Sequence, residues 1–285
     1  MQKELLAILS QLSHLIIFRS AKQGTKHENG VFVISIDVDV GSSQIGLKNK
    51  GSNDANVHDY LSEYEIGKRE EQSIPLLLEL FDNLEVPATF AVRGQLTEID
   101  SSVLELIKES SVKHDIGAHG YYHRTFTSLS EMEAEKELKM IRAGMKQFNI
   151  EPRTFIFPKN NVAHLSLLEK YGYKCYRGCG GLGRDRLCVE RHGQLYDICP
   201  SFFLGWSDRV VFLNKIIDIS AKNKLTFHVW LHPHDLGDSQ TTIQKRIARV
   251  LLPLLKYAKR KEQECVLNFE TMYSLASKLA EMDRC

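Results

Sequence analysis

The strongest constraint on the fold is a rhythm. Short apolar runs rich in β-branched and aromatic residues alternate with longer polar stretches along most of the chain. The runs fall at residues 31–39, 86–94, 114–119, 154–158, 174–177, 195–199, 225–234 and 265–269. Several intervening stretches carry apolar residues at helical spacing, as at Ile74, Leu77, Leu78 and Phe81. Ser130 is placed to cap a helix reaching about residue 147, with Glu131 and Glu133 in its first turn. Such alternation implies a parallel sheet covered by helices, because parallel neighbours need a crossover between them. A chain of 285 residues suits a β/α barrel, which often runs this long as one unit. The expected class is therefore α/β: a distorted (β/α) TIM-like barrel of seven or eight strands over residues 31–285. An N-terminal helix and linker occupy residues 1–30. Residues 41–63, rich in Gly, Ser and Asn, read as a long loop, and Pro253 as a kink in a helix over 241–261.

Composition narrows the function classes. A formal net charge of +1 gives no general basic surface, which argues against a nucleic-acid or acidic-lipid binder. Leu5, Leu6, Leu9, Leu12, Ile16 and Ile17 form a helical stripe. Glu4, Gln11, Ser13 and His14 interrupt it, and no cleavage site follows, so it reads as a helix packed on the domain rather than a signal peptide. No segment reaches the roughly 18 apolar residues that read as a membrane span. The expected location is cytoplasmic. The six cysteines lack a CxxC pair and read as reduced, mostly buried thiols.

The polar residues that stand out lie at the C-terminal ends of predicted strands, where a β/α barrel gathers its active face. The first run ends in Asp37 and Asp39, which alternation points the same way. Two like charges there repel unless a cation or a shared proton relieves them. His119 and His123 stand four apart after the third run, and one helical turn would aim both rings at one ion. Asp39, His119 and His123 together make a three-ligand site for a divalent transition metal, zinc first, with Co2+, Mn2+, Ni2+ or Fe2+ as substitutes. Asp37 then serves as general base beside the metal. His232 is a candidate acid, although His228 and His234 share its parity along the strand. Arg93 ends the second run, and Trp206 offers an aromatic face for a sugar. This is the equipment of metal-assisted hydrolysis of an amide or ester.

Four motifs carry a resemblance. Ser35-Ile-Asp37-Val-Asp39, Pro87-Ala-Thr-Phe-Ala-Val-Arg93-Gly, His119-Gly-Tyr-Tyr-His123 and Leu231-His232 occur in this order. Together they resemble the polysaccharide deacetylase family, the carbohydrate esterases with a NodB-type homology domain, in its Asp-x-Asp subgroup. The resemblance spans about residues 31–275 and implies a distorted (β/α) barrel. It also implies Asp37 as base, Asp39, His119 and His123 as metal ligands, and His232 as acid. The family's third motif, Arg-x-Pro, departs here. Pro158 sits in Ile156-Phe-Pro158-Lys159, with isoleucine where the arginine that steadies the base belongs. Lys159, Arg153 and Arg93 are the candidates to replace it, and His234 is a candidate substrate contact. The fourth motif survives only as Trp206-Ser-Asp208. The resemblance implies removal of an N-acetyl or other short acyl group from a sugar. The Phe-Pro-Lys-Asn turn resembles enzymes of surface-polysaccharide and lipopolysaccharide assembly. A metal amidase acting on a small non-sugar amide is the enzymatic alternative. A glycan-binding member without catalysis is the other alternative, motivated by the missing arginine.

Overall fold

The computed structural model describes residues 27–39, 63–178, 187–206 and 209–283. The expected N-terminal helix, nearly all of the 41–63 loop, Cys179 and Cys285 lie outside the described residues. In order, the elements are β1 (Gly30–Val38), α1 (Glu63–Leu84), β2 (Thr89–Val92), α2 (Leu96–Ile99), α3 (Ser102–Glu109), β3 (Asp115–Ala118), α4 (Glu131–Lys146), β4 (Thr154–Ile156), α5 (Leu165–Lys170), β5 (Cys175–Arg177), β6 (Val189–His192), β7 (Leu195–Ile198), β8 (Phe202–Phe203), α6 (Val210–Asn223), β9 (Thr226–Leu231), α7 (Gln240–Arg246), α8 (Leu252–Gln263), β10 (Leu267–Glu270) and α9 (Met272–Met282). Each of the eight expected runs contains a strand. The two-residue β8 was not anticipated, because so short a run has no readable period.

The strands form one curled sheet in the order β6-β7-β5-β4-β3-β2-β1-β9-β8, a half-barrel. Pairing is parallel throughout except between β6 and β7. On one side β1 pairs with β9. On the other its first half, Gly30–Val33, pairs with β10, and its second half, Ser35–Val38, pairs with β2. Every residue of β1 is buried, as a strand covered on both faces must be.

Alternation along β1 divides two apolar clusters. Phe32, Ile34, Ile36 and Val38 face outward into the main core beneath the helices. Val31 and Val33 face inward with Ala91, Ile156, Cys175 and Ile198, and with Met272, Leu275 and Leu279 of α9. Each buried apolar side chain of this size contributes about 1.5–3 kcal/mol. The last helix closes this end of the barrel. Its first amides donate to residues that open strands: Met272 N–H to Thr89 Oγ1 at 2.9 Å and Tyr273 N–H to Asp115 Oδ2 at 3.3 Å. One step up β1 the inward parity changes character, to Ser35 and Asp37. The interior is thus apolar and sealed below, polar above.

Local signals behave as the sequence suggests. Ser130 caps α4 in a reciprocal box, with its backbone N–H donating to Glu133 Oε2 at 2.9 Å. Pro253 lacks a backbone donor, and a π-helical turn at Ile247–Leu251 precedes it between α7 and α8. Among the described cysteines, Cys175, Cys188, Cys199 and Cys265 are free thiols; the first three are buried and Cys265 is exposed.

Candidate active site

Asp37 stands at the centre of the polar end, only 2 % exposed. Arg177, the last residue of β5, grips it with both guanidinium nitrogens: Nη1 to Oδ1 at 2.8 Å and Nη2 to Oδ2 at 2.5 Å. Two parallel charge-assisted bonds fix the carboxylate's plane as well as its charge. Arg177 also donates to Ser35 Oγ at 2.9 Å and to Asn160 Oδ1 at 3.3 Å. Its guanidinium lies 4.3 Å from the centre of the Trp230 ring. Burial acts against the Asp37 charge, but Arg177, His119 and His232 overcome it and hold the carboxyl below its usual range.

The histidine pair is built differently from the expected helical turn. Residues 119–123 form a loop, with Gly120 at φ +67° and His123 at φ +57°. Two left-handed residues reverse the chain within four positions, which a helix would not do. Glu137 of α4 holds this loop by accepting from Tyr121 N–H at 2.9 Å and Arg124 Nε at 2.7 Å. Pro158 packs against Gly120, where an added Cβ would meet its Cγ at 3.0 Å. The ring of His119 is oriented by Nδ1, 2.9 Å from the Ile156 carbonyl; only an N–H can donate there, so Nε2 presents a lone pair to the site. His119 Nε2 and His123 Nε2 are 3.1 Å apart, and His123 Nε2 is 3.7 Å from Asp39 Oδ1.

Asp39, His119 and His123 therefore offer three converging donor atoms. Burial pushes His123 down to about 3 and lowers His119, so both rings are neutral near pH 7, as ligands must be. Burial opposes charge on Asp39, but His123, His119 and Arg93 hold its carboxyl well below the usual range. Asp39 Oδ1 is buried without a hydrogen-bond partner. A divalent cation fits this donor set and satisfies that oxygen.

His232 follows β9, and its Nε2 is 3.9 Å from Asp37 Oδ2. Its Nδ1 is 2.9 Å from Asp235 Oδ2. Burial alone would lower this histidine; the bond to Asp235 and the charges of Asp37 and Asp39 raise it instead. Phe203 and Trp230 wall the ring, each with its centre 5.5 Å away. His228, of the same parity, is fully buried below, with Nε2 2.8 Å from Ser35 Oγ and Nδ1 2.9 Å from the Ile198 carbonyl. It supports Ser35 and Arg177 from beneath rather than facing the opening.

The structure thus gathers Asp37, Asp39, Arg93, His119, His123 and His232 at one end of the sheet. Arg93 flanks Asp39 and donates to the Tyr122 carbonyl at 3.2 Å. Arg153 faces away, binding the Gly172 carbonyl and Glu151. Lys159 sits in a tight turn at φ +56°. The charge expected from one of these three comes from Arg177, which sequence reasoning passed over. The signal was present, since Arg177 ends a predicted strand as the other site residues do. His234, expected to meet substrate, is buried instead, stacked on His232 with ring centres 4.8 Å apart and bound through Nδ1 to Glu70 Oε1 at 2.7 Å. Trp206 closes a 3-10 turn, and its side chain, like Asp208, lies outside the described part.

Comparison with known proteins gives the same family as the motifs. Residues 51–176 match the family model described as polysaccharide deacetylase, a segment that holds His119, His123 and Pro158 and stops one residue before Arg177. A peptidoglycan deacetylase of Helicobacter pylori is 29 % identical over 107 residues. That match spans 36 % of this chain and 36 % of the relative. Two solved structures, each assigned as a polysaccharide deacetylase, share the fold. The one from Mycobacterium smegmatis has a TM-score of 0.66 at 14 % identity, covering 93 % of this chain and 96 % of that one. The one from Pseudomonas aeruginosa has a TM-score of 0.67 at 13 % identity, covering 87 % and 89 %. A CE4 family pseudoenzyme from Bacillus anthracis has a TM-score of 0.53 at 14 % identity, covering 89 % and 67 %.

Proposed function

We propose that this chain, a relative of the polysaccharide deacetylases, is a metal-dependent hydrolase that removes an N-acetyl or other short acyl group from a sugar. One observation carries the reading. Oδ2 of Asp37, a carboxylate held in register by Arg177, lies 4.0 Å from His119 Nε2 and 3.9 Å from His232 Nε2. A base, a cation position and an acid therefore share one carboxylate.

Asp39, His119 and His123 are the residues that would hold the cation. When bound, a divalent cation there supplies Lewis acidity, favouring ionisation of water and polarising the acyl oxygen. Asp37, ionised at neutral pH, accepts a proton from the attacking water. Arg177 keeps that carboxylate from rotating and offsets its charge. His232, whose acid form is favoured by Asp235, gives its proton to the departing amine nitrogen. Phe203 and Trp230 pack beside that imidazole and limit its rotation.

The proposed substrate is an intermediate of cell-surface glycan synthesis. The motif resemblance and the peptidoglycan deacetylase relative support that class. No helix among the described residues is long and apolar enough to cross a membrane. The non-catalytic reading draws on the fold shared with a pseudoenzyme. Arg177 weighs against it, because it supplies from another strand the charge whose loss motivated that reading.

The test pairs metal content, by mass spectrometry, with acetate release from a panel of N-acetylated sugars. Wild type is expected to hold metal and release acetate, and His119→Ala to lose both. Metal without acetate on any sugar would move the reading to a small amide or to binding alone. No metal after reconstitution would overturn it.

A further inference from the structure

A second group of donors shares Asp39 with the first. Glu70 projects from α1 and is fully buried. Asp39, Glu70 and His234 each offer a ligand atom within 4.8 Å of the other two, and all three residues are buried. Glu70 Oε1 bonds His234 Nδ1, but Glu70 Oε2 is shielded from solvent and has no hydrogen-bond partner. Asp39 Oδ1 is in the same condition. A buried carboxylate oxygen without a donor is costly; Asp39 Oδ1 lies 3.7 Å from His123 Nε2 and belongs to the first position, so the oxygen left over in this group is Glu70 Oε2. Arg93 lies close enough to act on both carboxylates. It already donates to the Tyr122 carbonyl, and it leaves both oxygens without a hydrogen bond.

We infer that Asp39, Glu70 and His234 form a second divalent-cation position that shares Asp39 with the first. A carboxylate has two oxygens, so Asp39 can serve one cation on each side. Two carboxylates and one imidazole suit Mn2+, Co2+ or Zn2+ better than Mg2+ or Ca2+, which favour oxygen alone. The position gives α1 a direct link to the chemistry, since Glu70 is the one member of either donor group supplied by an α-helix. It also accounts for His234 turning away from the opening toward α1. The inference rests on the reading of Asp39, His119 and His123 as the first position.

Stoichiometry tests it. The full-length protein is stripped with a chelator and reloaded with Mn2+ or Zn2+ alone, and metal per chain is read by native mass spectrometry. Wild type is expected to bind two ions, and Glu70→Gln, which keeps the shape and removes the charge, one. His234→Asn is the second variant and is expected to behave alike. One ion per wild-type chain would overturn the second position and leave a proton shared between Glu70 and Asp39 as the account of that pair. Two ions in wild type and still two in Glu70→Gln would place the second ion elsewhere and overturn the assignment. No ion in wild type would instead sink the first position, and with it the proposed function.

Discussion

The two ends of the barrel each bury carboxylates, and they treat them in opposite ways. At the sealed end, Asp115 Oδ2 accepts from Thr89 Oγ1 at 3.0 Å, Thr154 Oγ1 at 2.7 Å and Tyr273 N–H. Every partner is neutral, and burial raises the Asp115 carboxyl against those bonds. At the open end, Asp37 is gripped by a cation, while Asp39 and Glu70 each keep an oxygen with no partner. The difference separates a carboxylate that joins three elements through neutral donors from carboxylates that the proposed function assigns to a proton and a cation. Burial alone does not mark a functional acid. At the open end the partners are a guanidinium and neighbouring imidazoles, and two carboxylate oxygens are left unbonded.

This contrast can be broken at either end. The largest effect is expected from Arg177→Met, which leaves Asp37 buried and unpaired. Loss of one partner of a buried pair costs about 3–5 kcal/mol, so urea midpoints should fall steeply and activity with them. Adding Asp37→Asn should return much of the stability and none of the activity; a double variant no more stable than Arg177→Met alone would show that Arg177 acts elsewhere. At the sealed end, Asp115→Ala strands three donors and should cost about 1–3 kcal/mol while kcat stays near wild type. A large loss of kcat at unchanged stability would mean the two ends are not independent. A smaller effect is expected at Asp235. Its bond helps raise His232, whose acid form is complete below its pKa and lost as pH rises through it. Asp235→Asn should therefore move the alkaline limb of kcat/KM to lower pH and leave the acid limb in place. An unmoved alkaline limb would take the acid role from His232.

The sequence made much of this legible, and the reasons are local. Strand runs and their terminal polar residues are read from period and position, so Asp37, Asp39, His119, His123 and His232 came out of the pattern that also defines the sheet. The loop form of residues 119–123 did not, because an i, i+4 spacing does not distinguish a helical turn from two left-handed residues. Glu70 was invisible for a different reason. On an amphipathic helix a glutamate reads as solvent-facing, and only the packing of α1 against the turn after β9 buries it. Arg177 was passed over because the family pattern places the steadying arginine one strand earlier. A guanidinium reaches Asp37 from β5 as well as from β4, so physical position preserved what motif order did not.

The most direct measurement is acetate release by wild type and Asp37→Asn at equal metal content. Asp37 is not among the proposed ligands, so the variant should keep its metal and its fold. The account predicts a loss of about 10²–10⁴-fold, the usual contribution of a positioned general base. Acetate release at the wild-type rate by metal-loaded Asp37→Asn would contradict it, since the carboxylate on which the open end is centred would then have no part in the reaction.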